Sequence, residues 1–396
     1  MNILFVSALL PYPLYSGGQV RIYNLLKILS SKHKITLFSF IREESEKQYL
    51  QELNFCQKVE TVLRGHAWQP RYVVPAVFGK YPLLLASYNH SEMRRKIGEE
   101  INNGNYDLIH LEPGYVFPSV PDTRLPLVVA EHNIESTIYQ DYVRRFPFAP
   151  VRTFFYADVL KLKFWERHIW QKARGIVTVS EDDARVIAPK TNGQKKALVP
   201  NGVDPVVFPF KPNAEVDPSL KFLFVGNFSW LQNRDALGDM LRRIWPEVVS
   251  KFPKSQLIIV GKQMPASLKR LADKAQARRL DEVVDINNEY QKADIMLAPI
   301  RIGGGTKFKI LEAMASGLPV VTTAKGVQGL NVTDRQEVML AETPEAYVKA
   351  IEELVKTNKR KQIVSAARLK IDKVYTWRKI ANKLADLWEQ VVQKNE

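Results

Sequence analysis

Cysteine and long apolar runs are nearly absent from this sequence. Its 396 residues include one cysteine, Cys56, so the chain cannot form an internal disulfide and suits a reducing compartment. No run approaches the roughly 18 consecutive apolar residues that span a bilayer. The apolar residues 3–10 follow no positively charged segment, so we expect a buried first strand there and no signal peptide. These absences predict a cytoplasmic protein, or one that is peripheral on the inner face of a membrane.

Acidic residues are outnumbered, and no tract of biased composition occurs. The chain carries 57 Lys and Arg against 42 Asp and Glu, a net charge of +15, which favours anionic partners such as nucleotide phosphates or an anionic membrane surface. Zinc-finger spacing, an RNA-recognition signature and an uninterrupted basic block are all missing, so we expect no nucleic-acid partner. The length exceeds one ordinary α/β core and predicts two domains.

The most informative stretch lies at residues 295–323. An apolar run at 295–300, a glycine turn and apolar residues at helical spacing predict a strand, a turn and a helix start. The turn residues are Gly303, Gly304, Gly305 and Thr306. Free N–H groups at a helix start, with the positive end of the helix dipole, bind anions. Lys307 and Lys309 add cationic donors, and Glu312 offers a carboxylate to sugar hydroxyls.

This turn is neither a P-loop nor a dinucleotide-binding fingerprint, because its spacing fits neither pattern. An ordinary turn between a strand and a helix is the alternative. The same alternative applies to a second turn with Gly17 and Gly18, after an apolar strand at residues 2–7. Strands and helices alternate, which predicts parallel sheets with ligands at the carboxyl ends of their strands. His132 follows one such strand, at residues 127–131, although a structural histidine is the alternative.

Residues 309–321, reading KILEAMASGLPVV, closely resemble the donor-binding segment of the retaining glycosyltransferases of family 4. The sequence PNGVD at 200–204 resembles another motif of that family. The resemblance implies the GT-B fold, an α/β architecture with two Rossmann-like domains facing across a cleft and a C-terminal helix crossing back to the N-terminal domain. We therefore expect an acceptor-binding domain at 1–203, a nucleotide-sugar-binding domain at 204–373 and the returning helix at 374–396.

The resemblance also implies roles for individual residues. It implies catalytic roles for His132, Lys307 and Glu312, in which His132 orients the donor sugar and Glu312 holds the ribose. The implied donor-binding residues are Gly17, Gly18, Asn227, Arg234, Gly303, Gly304, Gly305, Thr306, Lys309 and Ile310. Asn227 stands where many relatives have an Arg, and Gly304 replaces the first Glu of a Glu-x7-Glu pattern. Other cations must then meet the phosphate charge, and the candidates are Lys307, Lys309, Arg234 and Arg301.

Residues 141–174 combine basic and aromatic side chains. Arg144, Arg145 and Arg152 lie in this segment, which contains nine aromatic residues. A helix of this composition can lie on an anionic membrane, so we expect these arginines, together with Arg21, to form an acceptor-binding or membrane-facing surface. The alternative is an ordinary last helix of an α/β domain, with its aromatic residues in the core and its basic residues in water.

We therefore expect a metal-independent, retaining transfer of a hexose from a UDP- or GDP-sugar to a glycan or lipid-linked acceptor, in the synthesis of a cell-surface polysaccharide. The nucleotide sugar is a co-substrate, and no cofactor or metal is expected, because six histidines are scattered and no Asp-x-Asp triplet occurs. The resemblance places the nucleotide base at residues 283–290, of which 283–286 are expected to form a strand. A nucleotide-sugar 2-epimerase and a non-catalytic nucleotide-sugar-binding protein remain open as alternatives.

Overall fold

The computed structural model of the chain describes residues 1–144, 149–211, 219–281, 283, 285–303 and 307–393. The chain divides into two compact units. The first unit consists of Met1–Pro200 together with Trp377–Glu396, and the second consists of Asn201–Thr376. Each unit has a hydrophobic core and a parallel sheet with helices, so both are of the α/β class.

The first unit is built on a parallel sheet to which the described residues contribute seven strands. In chain order they are β1 (Asn2–Ser7), β2 (Lys34–Ile41), β3 (Lys58–Leu63), β4 (Leu108–Glu112), β5 (Leu127–Glu131), β6 (Gly175–Thr178) and β7 (Lys195–Leu198). Their order across the sheet is β3-β2-β1-β4-β5-β6-β7. The inner strands β1 and β5 are buried along almost their whole length. Burial on both faces explains why they read as continuous apolar runs.

Helices connect these strands. They are α1 (Gly17–Leu29), α2 (Pro70–Phe78), α3 (Leu83–Ala86), α4 (Ser91–Asn103), α5 (Glu135–Arg144), α6 (Ala149–Lys172) and α7 (Glu181–Ile187), with short 3-10 helices at Glu44–Leu53, Gly114–Ser119 and Ala188–Lys190. The basic and aromatic segment thus belongs to α5 and α6, and Trp165 and Trp170 of α6 are buried in the core. Among the described residues no helix, α6 included, combines the length and apolar character needed to cross a bilayer.

The second unit has a parallel sheet to which the described residues contribute six strands, in the order β10-β9-β8-β11-β12-β13. The strands are β8 (Lys221–Val225), β9 (Gln256–Val260), β10 (Arg278–Leu280), β11 (Ile295–Ala298), β12 (Val320–Thr322) and β13 (Met339–Leu340). The helices are α8 (Leu231–Asp239), α9 (Trp245–Lys251), α10 (Ala266–Lys274), α11 (Ile286–Lys292), α12 (Phe308–Ser316), α13 (Pro344–Val355) and α14 (Thr357–Lys370), with π-helical turns at Met240–Ile244 and Ile371–Tyr375. Because β8 and β11 are parallel neighbours, the loops that follow them lie at one edge of the sheet.

The predicted strand at residues 283–286 is wrong. The strand that pairs with β9 is β10, where Arg278 lies opposite Ile258. The Asp285 side chain accepts a hydrogen bond from the Asn287 backbone N–H at 2.9 Å and caps α11, which begins at the next residue. A capping side chain satisfies one of the free amide groups at a helix start. The segment expected to receive the nucleotide base therefore contains the beginning of a helix.

The last helix, α15 (Trp377–Val392), belongs to the first unit, which confirms the predicted return of the C-terminal helix. Its buried face contains Ile380, Leu384, Leu387, Trp388 and Val391. These residues recur at steps of three and four and therefore share one face of the helix. Gly175, at the start of β6, leaves room for this face, because a Cβ built there would lie 2.8 Å from Val391 and 3.1 Å from Val128.

A methyl group at Gly175 should loosen the packing of α15. We expect Gly175→Ala to reduce the free energy of unfolding by about 1 to 3 kcal/mol, the usual cost of overpacking a core. The matched control is Gly98→Ala in α4, where the new Cβ would lie 3.8 Å from Pro121 in ordinary contact. This control should be neutral or stabilising, since alanine is the better helix former by about 0.5 to 1 kcal/mol. Equal urea midpoints for the two variants would contradict the proposed close packing of α15.

Candidate active site

A buried carboxylate at the carboxyl end of β4 organises the candidate site of the first unit. The side chain of Glu112 is fully buried, and its Oε1 accepts a hydrogen bond from Arg21 Nε at 2.6 Å. The same oxygen lies 2.8 Å from His132 Nε2, just beyond β5. The other oxygen, Oε2, lies 2.8 Å from His110 Nε2. Glu112 therefore joins an arginine of α1 to histidines on or after two neighbouring strands.

The hydrogen bonds fix which ring nitrogens carry protons. Trp388 Nε1 of α15 lies 3.2 Å from His110 Nδ1, and because an indole N–H can only donate, this nitrogen is an acceptor. His110 Nε2 then carries the proton that it donates to Glu112. His132 likewise directs Nε2–H to the carboxylate, and its side chain remains 20% exposed. Glu112 thus holds His132 in one orientation at the strand end, and its Nδ1 is not engaged by the carboxylate.

The charges in this cluster balance. Burial disfavours the ionised form of Glu112, but Arg21 and the two histidines outweigh burial and hold the pKa of this carboxyl well below its usual value. Burial lowers the pKa of His110, so this histidine is neutral near pH 7. Arg21 also donates from NH1 to the carbonyl oxygens of Val199 and Pro200, at 2.8 and 3.0 Å. A buried ion pair beside a neutral His110 ring is therefore the state expected at neutral pH.

The prediction that Arg21 belongs to an acceptor-binding or membrane-facing surface is wrong in its placement. Its side chain is 1% exposed, because its guanidinium pairs with the buried Glu112 inside the unit. By contrast, Arg144 is 66% exposed and forms a long 3.9 Å ion pair with Asp141, and Arg152 is exposed as well. Arg145 lies outside the described residues.

Gly17 and Gly18 are the first two residues of α1. The side chain of Ser16 caps this helix by accepting from the Gln19 N–H at 3.4 Å, and the first intrahelical bond runs from Val20 N to Ser16 O. The amide groups of both glycines therefore precede the hydrogen-bonded ladder, as an anion-binding helix start requires. A Cβ on Gly18 would meet Leu9 at 3.7 Å, which is ordinary contact, so this glycine is not required by a close approach within the unit.

The candidate donor site of the second unit lies where α8 and α12 begin. Gly303 has φ of +98°, which disfavours other residues, and a Cβ on it would lie 3.4 Å from Gln232 of α8. Gly303 therefore lies against the first turn of α8. Gly304, Gly305 and Thr306 lie outside the described residues. The structure places the helix start at Phe308 with Lys307 as the N-cap residue, later than the glycines alone indicated.

Lys309 ties the loops of this edge together. Its Nζ donates to the carbonyl oxygen of Val225, at the end of β8, at 2.6 Å and to Asn233 Oδ1 of α8 at 2.8 Å. Asn233 in turn donates to the Asn227 carbonyl oxygen at 2.7 Å. The neighbouring Ile310 is fully buried, so only its backbone is available to a ligand. The sequence resemblance assigned Lys309 to a ligand, whereas its ammonium also holds the protein's own loop.

The two lysines at the start of α12 both have lowered pKa values. Burial, with the charge of Lys307, lowers the pKa of Lys309 to about 7. Burial, with the charge of Lys325, lowers the pKa of Lys307 to about 8. A lowered lysine pKa here means that burial disfavours the charged form, so a bound anion would stabilise the protonated lysines. The helix dipoles of α8 and α12 act in the same direction.

Glu312 is held by a tyrosine of α11. Tyr290, which is 1% exposed, donates its hydroxyl hydrogen to Glu312 Oε2 at 2.8 Å. Burial raises the pKa of Glu312, although the Tyr290 hydroxyl and the Lys309 charge oppose the shift. Glu312 is only partly covered, so its carboxylate can accept further hydrogen bonds from a ligand hydroxyl.

The remaining phosphate-binding candidates differ in availability. Arg301 is neutralised, because it pairs with Asp235 at 3.3 Å and with Asp239 at 2.9 Å. Arg234 makes one long 3.5 Å hydrogen bond to the Ser229 carbonyl oxygen, and its buried Nε has no hydrogen-bond partner among the described residues. Asn227 closes its own turn by accepting from the Ser229 N–H and hydroxyl. Arg234 is therefore better placed than Arg301 to meet an anion.

Sequence reasoning missed four residues of these clusters, namely His110, Glu112, Asn233 and Tyr290. Glu112 directly follows a predicted strand, so its position at a carboxyl edge was a usable signal. Asn233 lies in the first turn of α8, two residues before Asp235, and Tyr290 is the last residue of the segment 283–290 that was assigned to the nucleotide base. Asn233 contacts Lys309, which is 76 residues away along the chain, and Tyr290 contacts Glu312, which is 22 residues away. No local sequence pattern reveals such pairs.

The two family models that match this chain together cover most of it. The model described as Glycosyltransferase Family 4 matches residues 15–207, and the model described as Glycosyl transferases group 1 matches residues 219–357. With two parallel-sheet units and a returning helix, these matches define an α/β protein of the GT-B class. The chain belongs to the group 1, family 4 glycosyltransferases.

Individual relatives agree with this assignment. The chain is 24% identical over 365 residues to an uncharacterized 44.6 kDa protein in the cps region of Klebsiella pneumoniae, covering 88% of this chain and 90% of that one. It is 29% identical over 240 residues to a phosphatidyl-myo-inositol mannosyltransferase of Mycobacterium tuberculosis, covering 58% of this chain and 57% of that one.

Solved structures share the fold. A sucrose-phosphate synthase of Thermosynechococcus elongatus superposes with a TM-score of 0.74 at 15% identity, with 100% of both chains covered. Anabaena Alr3699/HepE in complex with UDP and glucose superposes with a TM-score of 0.67 at 16% identity, with 98% of this chain and 100% of that one covered. At these identities the likeness concerns the fold alone.

Loss of the Glu112 charge should destabilise the first unit strongly. We expect Glu112→Gln and Arg21→Met each to cost about 3 to 5 kcal/mol of unfolding free energy, because each leaves a buried charge without its partner. The double variant should cost less than the sum of the single variants. As a matched control, Arg144→Met removes an exposed arginine and should cost at most about 1 kcal/mol. Additive costs in urea denaturation would contradict the pairing.

Proposed function

We propose that this glycosyltransferase is a retaining enzyme that moves a hexose from a UDP- or GDP-sugar to a glycan or lipid-linked acceptor during cell-surface polysaccharide synthesis. It would act in the cytoplasm or on the inner face of a membrane. The observation that carries the proposal is the cluster at the start of α12, where Lys307 and Lys309 have lowered pKa values beside the partly covered carboxylate of Glu312.

Three similarities support the choice of substrates. The Anabaena structure contains UDP and glucose, which favours a uridine nucleotide sugar as donor. The mycobacterial relative is a phosphatidyl-myo-inositol mannosyltransferase, which favours a lipid-linked acceptor. The Klebsiella relative, in a cps region, favours a role in a surface polysaccharide. The retaining outcome rests on the family resemblance of residues 309–321.

In the proposed reaction the bond between the sugar carbon and the diphosphate oxygen breaks, and its electron pair stays with the diphosphate. The acceptor hydroxyl oxygen then bonds to that carbon on the same face, and the hydroxyl proton passes to an oxygen of the departing diphosphate. New negative charge develops on the leaving group, so fixed positive groups that face it lower the barrier. Lys307, Lys309 and the first amide groups of α12 are proposed for this role. Glu312 would accept hydrogen bonds from the ribose, and His132, held by Glu112, would orient the donor sugar.

Single removals of these side chains should slow the reaction greatly. We expect Lys307→Ala, Glu312→Ala and His132→Ala each to lower turnover of the sugar nucleotide by about 100-fold, since one lost transition-state contact costs on the order of 3 kcal/mol. Lys254→Ala, at an exposed lysine of the second unit, is the control and should retain full activity. A panel of UDP-, GDP- and ADP-sugars, followed by mass spectrometry, measures donor use and product.

Several outcomes would overturn this proposal. Unchanged turnover in both Lys307→Ala and Glu312→Ala would end the assignment of the donor site. An epimerised sugar nucleotide formed without acceptor would indicate a 2-epimerase, and binding without any product would indicate a non-catalytic protein. Because lysines and amide groups are proposed to carry the leaving-group charge, addition of EDTA should leave the rate unchanged.

Nucleotide binding should be linked to proton uptake. Without an anion, Lys309 loses its proton above its pKa of about 7 and Lys307 above its pKa of about 8. A bound diphosphate favours both charged forms and raises both pKa values, so UDP binding near pH 8 should take up protons. Affinity should fall as pH rises, by up to about tenfold per pH unit for each proton taken up.

Calorimetry in two buffers of different ionisation enthalpy measures this uptake directly. Lys309→Met removes one of the two titrating groups and should reduce the number of protons taken up. If the unmodified chain binds UDP with the same heat in both buffers, these lysines do not meet the diphosphate.

A further inference from the structure

A cationic groove lies in the first unit, and none of its lining residues belongs to the Glu112 cluster. It encloses a cavity of about 740 Å³, which the N-terminal part of α4, the chain before β5 and the C-terminal half of α6 help to line. Five of its lining residues are Lys or Arg, and Asp122 is an acidic lining residue; the five cations are Lys80, Arg94, Arg124, Lys172 and Arg174. We call this feature the cationic groove.

Four of the five groove cations, all except Arg174, form no ion pair with a carboxylate among the described residues. Lys80 lies over the rings of Tyr81 and Trp165, 5.1 and 5.8 Å from their centroids. Arg94 donates to Asn89 Oδ1 at 2.6 Å and to the Pro118 carbonyl oxygen, which are neutral acceptors.

The pKa of His168, which also lines the groove, is affected by the same positive charges. Burial and the charges of Lys172 and Lys80 lower the pKa of His168. An anion in this groove would therefore meet several cations, three of them arginines, and arginine can bind a phosphate through paired N–H groups.

An apolar ridge borders the groove. Tyr156, Leu160 and Phe164 recur every four residues along α6 and are 40, 55 and 65% exposed, so they form one stripe on its surface. Phe78, the last residue of α2, is 87% exposed. Lys161 Nζ donates to the carbonyl oxygens of Ala76 and Gly79 at 2.8 and 2.9 Å, which places the end of α2 beside α6. We call Phe78, Tyr156, Leu160 and Phe164 the apolar ridge.

The ridge and the groove are continuous. The ring of Phe164 lies 6.0 Å from that of Trp165 and 6.3 Å from that of His168, and both of these residues line the groove. Large apolar side chains that are exposed together on a protein surface mark an interaction site. A partner that carries a phosphate next to hydrocarbon chains complements both features, and an anionic phospholipid has this chemistry.

We propose that this face of the first unit docks on an anionic bilayer, with the phosphate headgroup of a phospholipid in the cationic groove and the apolar ridge at the acyl boundary. The inference deepens the proposed membrane placement and rests on it, because it gives that placement a defined lipid site. Donor turnover is assigned to other residues, so membrane docking and glycosyl transfer can fail independently.

Sedimentation of the full chain with vesicles tests the groove. Vesicles of phosphatidylcholine alone are compared with vesicles that also contain phosphatidylglycerol, and the unmodified chain should sediment only with the latter. The groove variant combines Arg124→Gln with Lys172→Gln and should bind at least about tenfold more weakly, because each basic residue near the surface contributes to attraction. The control combines Lys254→Gln with Lys361→Gln, two exposed lysines of the second unit, and should bind like the unmodified chain.

A second variant tests the ridge without changing the charge. Leu160→Ser with Phe164→Ser should lose vesicle binding at raised salt, where the unmodified chain keeps the apolar part of its attachment. All of these variants should turn over the sugar nucleotide at the normal rate, which also shows that they are folded.

Equal loss of binding in the groove variant and in the lysine control would overturn the proposal, since it would show a general effect of net charge. Calorimetric binding of soluble glycerol phosphate without vesicle binding would also overturn it, by identifying a free phosphate ester as the ligand. Vesicle binding by a chain that turns over no sugar nucleotide would leave the lipid site standing and would reject the proposed transfer reaction instead.

Discussion

The partly buried ammonium group of Lys309 is the constraint on which the donor edge of the second unit depends. A cation at this depth needs acceptors, and it finds the Val225 carbonyl oxygen and Asn233 Oδ1. Those two bonds tie the end of β8 and the first turn of α8 to α12, so two helix starts are held together. The pKa of Lys309, lowered to about 7, shows that the acceptors do not fully offset burial. An anion bound at this edge would stabilise the protonated ammonium group.

In the first unit the group that constrains the site is negatively charged. Glu112 is a buried carboxylate that requires donors, and it receives them from Arg21, His110 and His132. Trp388 extends the cluster to α15, so the helix that ends the chain helps to fix the histidine at the end of β5. In both units a buried or partly buried charge that must be satisfied sets the geometry of a strand edge, and a residue of interest for catalysis is left partly accessible. Such charges constrain geometry more than they stabilise the fold.

The secondary-structure elements that depend on local sequence patterns could be predicted from the sequence. The parallel strands, the presence of a helix after each glycine turn and the amphipathic α15 follow from apolar periodicity and glycine placement, although α1 begins at Gly17, before the predicted start at about residue 19, and α12 begins later than its glycines indicated. The strand expected at 283–286 failed because Asp285 caps a helix there. Arg21 was misplaced because its partner, Glu112, lies 91 residues away and only the folded sheet brings them together. Long-range pairs of polar residues carry no spacing signal, and the residues that complete both candidate sites are of this kind.

The central claim is that the diphosphate of a nucleotide rests at the start of α12, beside Lys307 and Lys309. A crystal structure of the full chain with bound UDP tests it most directly. The account predicts phosphate density at the amide groups that precede α12, within hydrogen-bond distance of a lysine ammonium, and a ribose hydroxyl at Glu312. Well-defined nucleotide density on any other surface, with this helix start left free of phosphate, would contradict it.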